Sequence, residues 1–154
     1  MTRPRRPSPY HHGSLADTAL AAAIAALDAD GALPPLRVLA DRCGVTHTAL
    51  YRHFDDLDGL GLAVATRCYE EIAAAMRAGL AAARTPATRF RALGAAYARW
   101  GLEHPGRYLF MTSATFANRT AHAPFLAAAT AAFEPLVAAV AALGAAEPCR
   151  SRTP

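Results

Sequence analysis

The stretch from residue 36 to residue 54, LRVLADRCGVTHTALYRHF, constrains the fold more than any other part of the chain. It predicts two short helices separated by Gly44, because glycine adopts at little cost the left-handed conformation that ends a helix. Ala40 lies four residues before this glycine, where a small side chain lets the two helices cross closely. Thr46 is a good N-cap for the second helix, which we expect to span residues 46–54. This spacing indicates a helix-turn-helix.

The second of these helices has two different faces. Leu50 and Phe54 are four residues apart and should point into the core. Thr48, Tyr51 and Arg52 should point outwards, on a face without carboxylates that suits a helix entering the major groove of DNA. His47 and Ala49 flank this face. The same pattern also arises in two ordinary amphipathic helices with a glycine between them, so the surrounding sequence has to be considered.

Local charge is more informative here than net charge. The chain carries a formal charge of +4, but six arginines and six aspartates balance within residues 1–57. Residues 42–54, by contrast, contain Arg42, His47, Arg52 and His53 and no acid. Phosphate contacts require such a local positive strip.

The remainder of the chain predicts an all-α fold. Helices are expected over residues 14–30, 36–43, 46–54, 57–83, 87–104 and 124–143. Pro105 should stop the fifth of them, and residues 118–123 should form a loop. One side of the last helix should be lined by Leu126, Phe133, Val137 and Val140, and Pro135 inside it predicts a kink near residues 131–132. The predicted organisation is a flexible basic arm at 1–13, a helix-turn-helix domain at 14–56, a helical ligand-binding and dimerisation domain at 57–143 and an irregular tail at 144–154.

Aromatic residues recur at helical spacing in the second half of the chain and form either core or a ligand pocket. Core packing is the simpler interpretation for most of them. Tyr97, Trp100 and His104 are the better candidates for pocket contacts, because each combines apolar bulk with a polar group. Tyr108 and Met111, in the aromatic segment that follows, complete the predicted ligand-binding set.

Several function classes are excluded by what the sequence lacks. It has no glycine-rich phosphate loop, no nucleophile elbow and no pair of metal-ligand motifs, so we expect neither an enzyme nor a metal or cofactor site. Cys43, Cys68 and Cys149 are widely spaced and odd in number, which favours buried thiols in a reducing compartment. No secretory leader is evident and charged residues, Gly or Pro interrupt each apolar run, so a cytoplasmic protein without a membrane span is expected.

With these residues in view, the chain resembles the TetR/AcrR-type transcriptional regulators. The resemblance lies in YHHGSL before the first helix, in LADRCGVTHTALYRHF and in the D-x-x-x-L start of the fourth helix. A second segment, AAYARWGLEHPGRYLFM, is similar to the ligand-binding domain of one TetR subgroup. The resemblance implies a homodimeric repressor that reads a palindromic double-stranded DNA operator and releases it when a small apolar effector shifts the fourth helix.

The resemblance also assigns residues. It places His47, Thr48 and Ala49 at base-facing positions. It places Thr46, Tyr51, Arg52 and His53 at positions that touch phosphates or nearby bases, and Arg37 as an anchor on the DNA backbone.

Three departures from the family pattern leave an alternative open. Leu57 stands where a phosphate-binding lysine is usual, and Pro34 and Pro35 stand near the position of a usual hydroxyl residue. The chain ends in ALGAAEPCRSRTP, so the usual last helix of the C-terminal domain is expected to be missing. The alternative is a helical small-molecule-binding or vestigial TetR-like protein whose shortened dimer interface leaves DNA binding weak or lost.

Overall fold

The computed structural model describes residues 12–113 and 122–146, and this part of the chain is helical without a β-strand. The α-helices are α1 (His12–Asp30), α2 (Leu36–Cys43), α3 (His47–Tyr51), α4 (Leu57–Gly79), α5 (Pro86–Glu103), α6 (Pro105–Thr112) and α7 (Ala123–Ala146). A short 3-10 turn, Leu80–Ala82, follows α4. The predicted all-α class is confirmed.

Helices α1, α2 and α3 pack against one another. Their contact surfaces are apolar, with Leu27, Leu39 and Leu50 fully buried. Gly31 ends α1 in a left-handed conformation (φ 70°), and its N–H donates to the carbonyl of Leu27 at 3.0 Å. The predicted end of the first helix is therefore confirmed, and its cause is the glycine.

Helix α4 is the central element of the fold. Its N-cap is Asp56, whose Oδ1 accepts a hydrogen bond from the Gly59 N–H at 2.7 Å. The helix packs against α1, α5, α6 and α7. Its buried side chains recur every four residues, at Leu60, Val64, Cys68, Ile72 and Met76. A helix buried on so much of its surface connects the N-terminal helices to all of the later ones.

Helices α5 and α6 each begin with a proline in the first turn. Thr85 caps α5 in a reciprocal capping box with Thr88, and Pro86 lies in the first turn, where its missing N–H costs nothing. Pro105 was expected only to stop the preceding helix. It also begins α6, so the aromatic segment, for which no helix was predicted, is helical as far as Thr112.

Helix α7 packs against α4 and α5 through Phe125, Ala132 and Ala139, which are buried at seven-residue spacing. Val137 and Val140 lie on the other side and are 67% and 51% exposed. The stripe predicted from Leu126, Phe133, Val137 and Val140 therefore lies largely outside the core. Pro135 lies within the helix, as expected, and the predicted kink remains a prediction.

One helix departs from the expectation that every apolar run is too interrupted to reach the length of a membrane span. In the described residues, Ala123–Ala145 is long and apolar enough to cross a membrane by length and composition alone, because Glu134 is its single charged residue. This is weak evidence, since core helices of soluble proteins pass the same test. In its apolar window of 18 residues, 11% is buried.

The limits of several predicted segments also change. Helix α1 begins at His12, inside the predicted arm, and α7 continues to Ala146, inside the predicted irregular tail. The rest of the arm (1–11), most of the predicted loop at 118–123 and the rest of the tail (147–154) lie outside the described residues.

Candidate nucleic-acid interface

The turn between α2 and α3 depends on Gly44. This residue has φ 66° and ψ 30°, in the left-handed region. Its N–H donates to the carbonyl of Asp41 at 3.1 Å, and the N–H of Val45 donates to the carbonyl of Ala40 at 3.1 Å. These bonds satisfy the carbonyls of Ala40 and Asp41, two of the last four of α2.

Helix α3 is short and firmly anchored. Thr46 is extended (φ −71°, ψ 149°) and its Oγ1 accepts a hydrogen bond from the Ala49 N–H at 3.3 Å, as expected for an N-cap. The α-helix ends at Tyr51, three residues earlier than the predicted end at Phe54. A turn follows, in which the N–H groups of His53 and Phe54 both donate to the carbonyl of Leu50. Leu50 is fully buried and Phe54 is 8% exposed, so both anchor the helix from beneath.

The outer face of α3 is open to solvent. The side chains of Thr46, His47, Thr48 and Arg52 are exposed, and Tyr51 is 45% exposed. Ala49 and His53 are half-buried at the edges of this face. The structure therefore brings the predicted residues of this segment to one side of the molecule.

The ring of His47 contacts that of Tyr51 on this face. It lies edge-on to the ring of Tyr51, one helical turn later, with ring centroids 5.2 Å apart and an interplanar angle of 84°. This edge-to-face contact keeps the two rings together on the exposed side of α3.

The cations around α3 are not neutralised by neighbouring acids. Among the described residues Arg37, Arg42 and Arg52 form no ion pair, and all three are exposed. Residues 46–54 contain no acid, so an anion approaching this face meets hydroxyl, imidazole and guanidinium groups. Such groups donate hydrogen bonds to phosphates and to base edges.

The predicted ligand-binding residues fall into two groups. Tyr97 and Tyr108 belong to an aromatic cluster that also contains Tyr69, Phe125 and Phe133. The ring of Tyr97 lies 6.0 Å from that of Tyr108 and 5.6 Å from that of Phe133, between centroids. Burial raises the pKa of Tyr97 to about 12, and a hydrogen bond with Tyr108 contributes. The sequence did not indicate that Tyr69, Phe125 and Phe133 belong to this cluster, because helical spacing within one segment carries no information about a partner on another helix.

Trp100 and His104 form the second group, and Met111 is buried in the hydrophobic core. The Trp100 and His104 rings are 5.2 Å apart between centroids. Trp100 is 5% exposed, and its Nε1–H has no hydrogen-bond partner among the described residues. Met111 is 7% exposed. A buried N–H without a partner costs about 1–3 kcal/mol.

Two grooves lie on the surface of the helical bundle. The larger, of ≈ 520 Å³, lies between α4 and α5. Small side chains line it, with larger ones at one end; the residues are Ala75, Ala78, Gly79, Ala92, Ala95, Ala96, Arg99, Trp100 and Glu103. Of the five predicted ligand-binding residues, Trp100 alone lines this groove. The second groove, of ≈ 390 Å³, lies among α1, α4 and α6.

An ion-pair network that the sequence did not indicate lies at the second groove. Arg107, in the first turn of α6, donates from Nε to Oδ1 of Asp28 at 2.7 Å and through a second nitrogen to Oδ2 of the same carboxylate. Its remaining nitrogen donates to Oε2 of Glu71 at 2.9 Å. The hydrogen bond from Arg107 lowers the pKa of Asp28 below its usual value. We call these three residues the Arg107 junction.

The thiols are in part as expected. Cys68 is fully buried, and burial raises its pKa to about 12. Cys43 is half-buried, and Cys149 lies outside the described residues. Among residues 12–113 and 122–146, no cluster of three or more histidine, cysteine or acidic side chains is placed to hold a metal ion.

The fold and this face define an all-helical protein with an exposed, acid-free α3 held by a glycine turn. No protein-family model matches the chain, and no curated protein matches it. Among solved structures the chain is similar to a protein of unknown function from Rhodococcus sp. RHA1, with a TM-score of 0.74 and 33% identity. The match covers 91% of this chain and 73% of that chain. The chain therefore belongs to the same family as the Rhodococcus protein.

Proposed function

We propose that this protein is a ligand-responsive, DNA-binding transcriptional regulator of the TetR/AcrR type, acting as a repressor. The observation that carries the proposal is the outer face of α3. Thr48, Tyr51 and Arg52 are exposed there, while Leu50 and Phe54 hold the helix from beneath. In this proposal α3 enters the major groove of an operator and reads base edges there.

The roles of the side chains follow from their chemistry. His47 and Thr48, in the first turn of α3, are placed to hydrogen-bond to base edges, with Ala49 in apolar contact beside them. Tyr51 and Arg52, together with Thr46 and His53, contact phosphates or adjacent bases. Arg37, exposed at the start of α2, anchors the DNA backbone from the other side of the turn. Each guanidinium that neutralises a phosphate adds to the salt dependence of binding.

A small apolar effector is proposed to bind in the C-terminal half. The aromatic cluster and the groove beside Trp100 offer apolar surface for it. The unpartnered Nε1–H of Trp100 supports a ligand with a hydrogen-bond acceptor, because an acceptor that reached this N–H would remove the cost of its burial.

The proposed DNA-binding form is a homodimer. A palindromic operator presents two half-sites about one helical turn apart, ~34 Å, so two copies of α3 have to be held at that spacing. The exposed apolar face of α7, formed by Leu126, Val137 and Val140, supports association through this helix. A solvent-exposed apolar helix face is more stable when a second copy covers it.

The test is a gel shift with the duplex DNA upstream of the protein's own gene, at low and at moderate salt. We expect Tyr51→Ala to lower the affinity, and Arg52→Ala to lower it and to reduce the slope of log affinity against log salt by about one. Arg91→Ala serves as the matched control, because Arg91 is an exposed arginine on α5, away from α3. Unchanged binding in both α3 variants would contradict the assignment of this face.

Two observations favour a second candidate, a helical small-molecule-binding or vestigial protein with weak or lost DNA binding. Leu57, at the start of α4, is 41% exposed and offers no charge to a phosphate. Pro35 is the N-cap of α2 and no side-chain hydrogen bond caps that helix. If no shifted band forms at either salt concentration while the protein binds apolar compounds, this second function is the correct one.

A further inference from the structure

The Arg107 junction connects three helices that are distant in sequence. Asp28 lies in the last turn of α1, Glu71 in the middle of α4 and Arg107 in the first turn of α6. The Arg107 side chain is 13% exposed, whereas those of Asp28 and Glu71 are 37% and 32% exposed. The planar guanidinium makes two hydrogen bonds to one carboxylate and one to the other, so it fixes the orientation of the three helices that carry these groups. An ammonium group lacks this fixed geometry.

Next to the junction, the backbones of α6 and α1 are in direct contact. A Cβ added to Gly106 would lie 2.1 Å from the carbonyl oxygen of Leu27 and 3.5 Å from the Cα of Gly31. Only glycine fits here, because any other residue would push the first turn of α6 away from the end of α1. Helix α6 is therefore attached to α1 by a charged contact and by close backbone packing.

The residue after the junction faces the aromatic cluster instead. The Tyr108 ring packs over Gly101, where an added Cβ would lie 3.2 Å from a ring carbon. The same ring lies 6.0 Å from that of Tyr97, which in turn contacts Phe133 on α7. One turn of α6 thus contacts α1 through Gly106 and Arg107 and the aromatic cluster through Tyr108.

We propose that α6 transmits rearrangements of the aromatic cluster to α1, with the Arg107 junction as the connection. Because Arg107 also binds Glu71, a displacement of α6 acts on α4 as well as on α1. Helix α1 packs against α2 and α3, so the position of the exposed α3 face depends on this connection. The regulatory meaning of this transmission rests on the proposed function, whereas the coupling itself is a property of the fold.

Hydrogen–deuterium exchange on the intact chain, without DNA or effector, tests the coupling. Phe133→Leu disturbs the aromatic cluster from α7, whose packing partners are α4 and α5. In the otherwise unchanged protein we expect it to accelerate exchange of amides in residues 20–31 by roughly tenfold. In an Arg107→Met background the same substitution should add less than about twofold, because the connection has already been removed.

The matched control is Arg67→Met. Arg67 also lies beside Glu71, with 3.8 Å between Nε and Oε1, but it is 57% exposed and both residues belong to α4. In this background Phe133→Leu should keep its full effect on residues 20–31. If Arg107→Met does not fold, Arg107→Lys replaces it, because it keeps the charge but loses the bidentate geometry.

Two results would overturn the proposal. One is an equal acceleration in residues 20–31 with and without Arg107; the other is no acceleration there in the otherwise unchanged protein. The gel shift reports separately on the proposed function. If the otherwise unchanged protein binds DNA but shows no coupling, only the proposed role of α6 is contradicted. If it shows the coupling but does not bind DNA, only the proposed regulatory function is contradicted.

Discussion

Gly44 occupies a position at which backbone conformation, and not crowding, limits the choice of residue. Its φ is 66°, and nothing lies within 4 Å of the point where a Cβ would be. A side chain would therefore fit in space but would force an unfavourable left-handed conformation on an L-residue. Gly94, in the interior of α5, also has nothing within 4 Å of an added Cβ, but its φ is not positive.

This contrast gives a paired prediction. Gly44→Ala should lower the free energy of unfolding by about 1–2 kcal/mol, the cost of the left-handed conformation. Gly94→Ala should raise it by about 0.5–1 kcal/mol, because alanine loses less backbone entropy in a helix. Urea unfolding followed by circular dichroism measures both changes. Equal effects of the two substitutions would mean that the turn does not depend on the glycine.

The carboxylate of Asp28 predicts how stability depends on pH. The hydrogen bond from Arg107 lowers its pKa below the usual 3.8, against an opposing effect of burial. A lowered pKa stabilises the fold above the unfolded-state pKa, and this contribution is lost as pH falls through the folded-state pKa. Stability should therefore decrease as the pH falls below the usual pKa of 3.8 and through the lower folded-state pKa, and Asp28→Asn should make this decrease shallower.

Urea unfolding at a series of acidic pH values measures this slope. Asp30→Asn is the control, because Asp30 is exposed two residues away and takes no part in the Arg107 junction. If the free energy of unfolding depends on acidic pH equally in Asp28→Asn and in the unchanged protein, the ion pair does not contribute to the loss of stability in acid.

At this scale, local chemistry could be predicted from the sequence and distant pairing could not. Thr46 as a cap, Gly44 as a turn and Leu50 as an anchor each depend on neighbours within a few residues. Asp28 and Arg107 are separated by 79 positions. No spacing rule connects such a pair, because only the packing of α1 against α6 brings the two together.

For the helices, the presence of a helix was predicted better than its first and last residues. Helix α2 has the predicted limits, since a proline before it and a glycine after it define both ends. Helix α3 ends at Tyr51, and a tighter turn follows in which the N–H groups of His53 and Phe54 share the carbonyl of Leu50. Helix α6 was missed, since Pro105 was interpreted only as a stop although proline also favours a first turn.

Helix α7 illustrates why periodicity does not fix orientation. Both of its faces are apolar, so the pattern fits two rotations about the helix axis. The structure buries Ala132 and Ala139 against neighbouring helices and leaves the larger Val137 and Val140 exposed. Small residues allow close approach of two helix backbones, which explains the preference for the alanine face in the contact with α4.

For the whole molecule, that exposed face predicts an oligomeric state. If the proposed homodimer forms through α7, light scattering at micromolar concentration should give the mass of a dimer. Replacing Val137 and Val140 together by Lys should shift it to a monomer, because two charges would have to be buried. Leu102→Lys is the control and should leave the dimer intact, because Leu102 is also an exposed apolar residue (83%) but lies on α5, outside the proposed α7 interface. A strict monomer before any substitution would contradict the dimer.

The chain contains a single tryptophan, and its position provides a probe of occupancy in the C-terminal half. Trp100 is nearly enclosed, lies against the imidazole of His104 and forms part of the wall of the larger groove. A compound that settles there would change the polarity around the only indole, and with it the wavelength and yield of the emitted light. Candidate effectors can thus be screened by intrinsic fluorescence, on unlabelled protein and before any operator sequence is known.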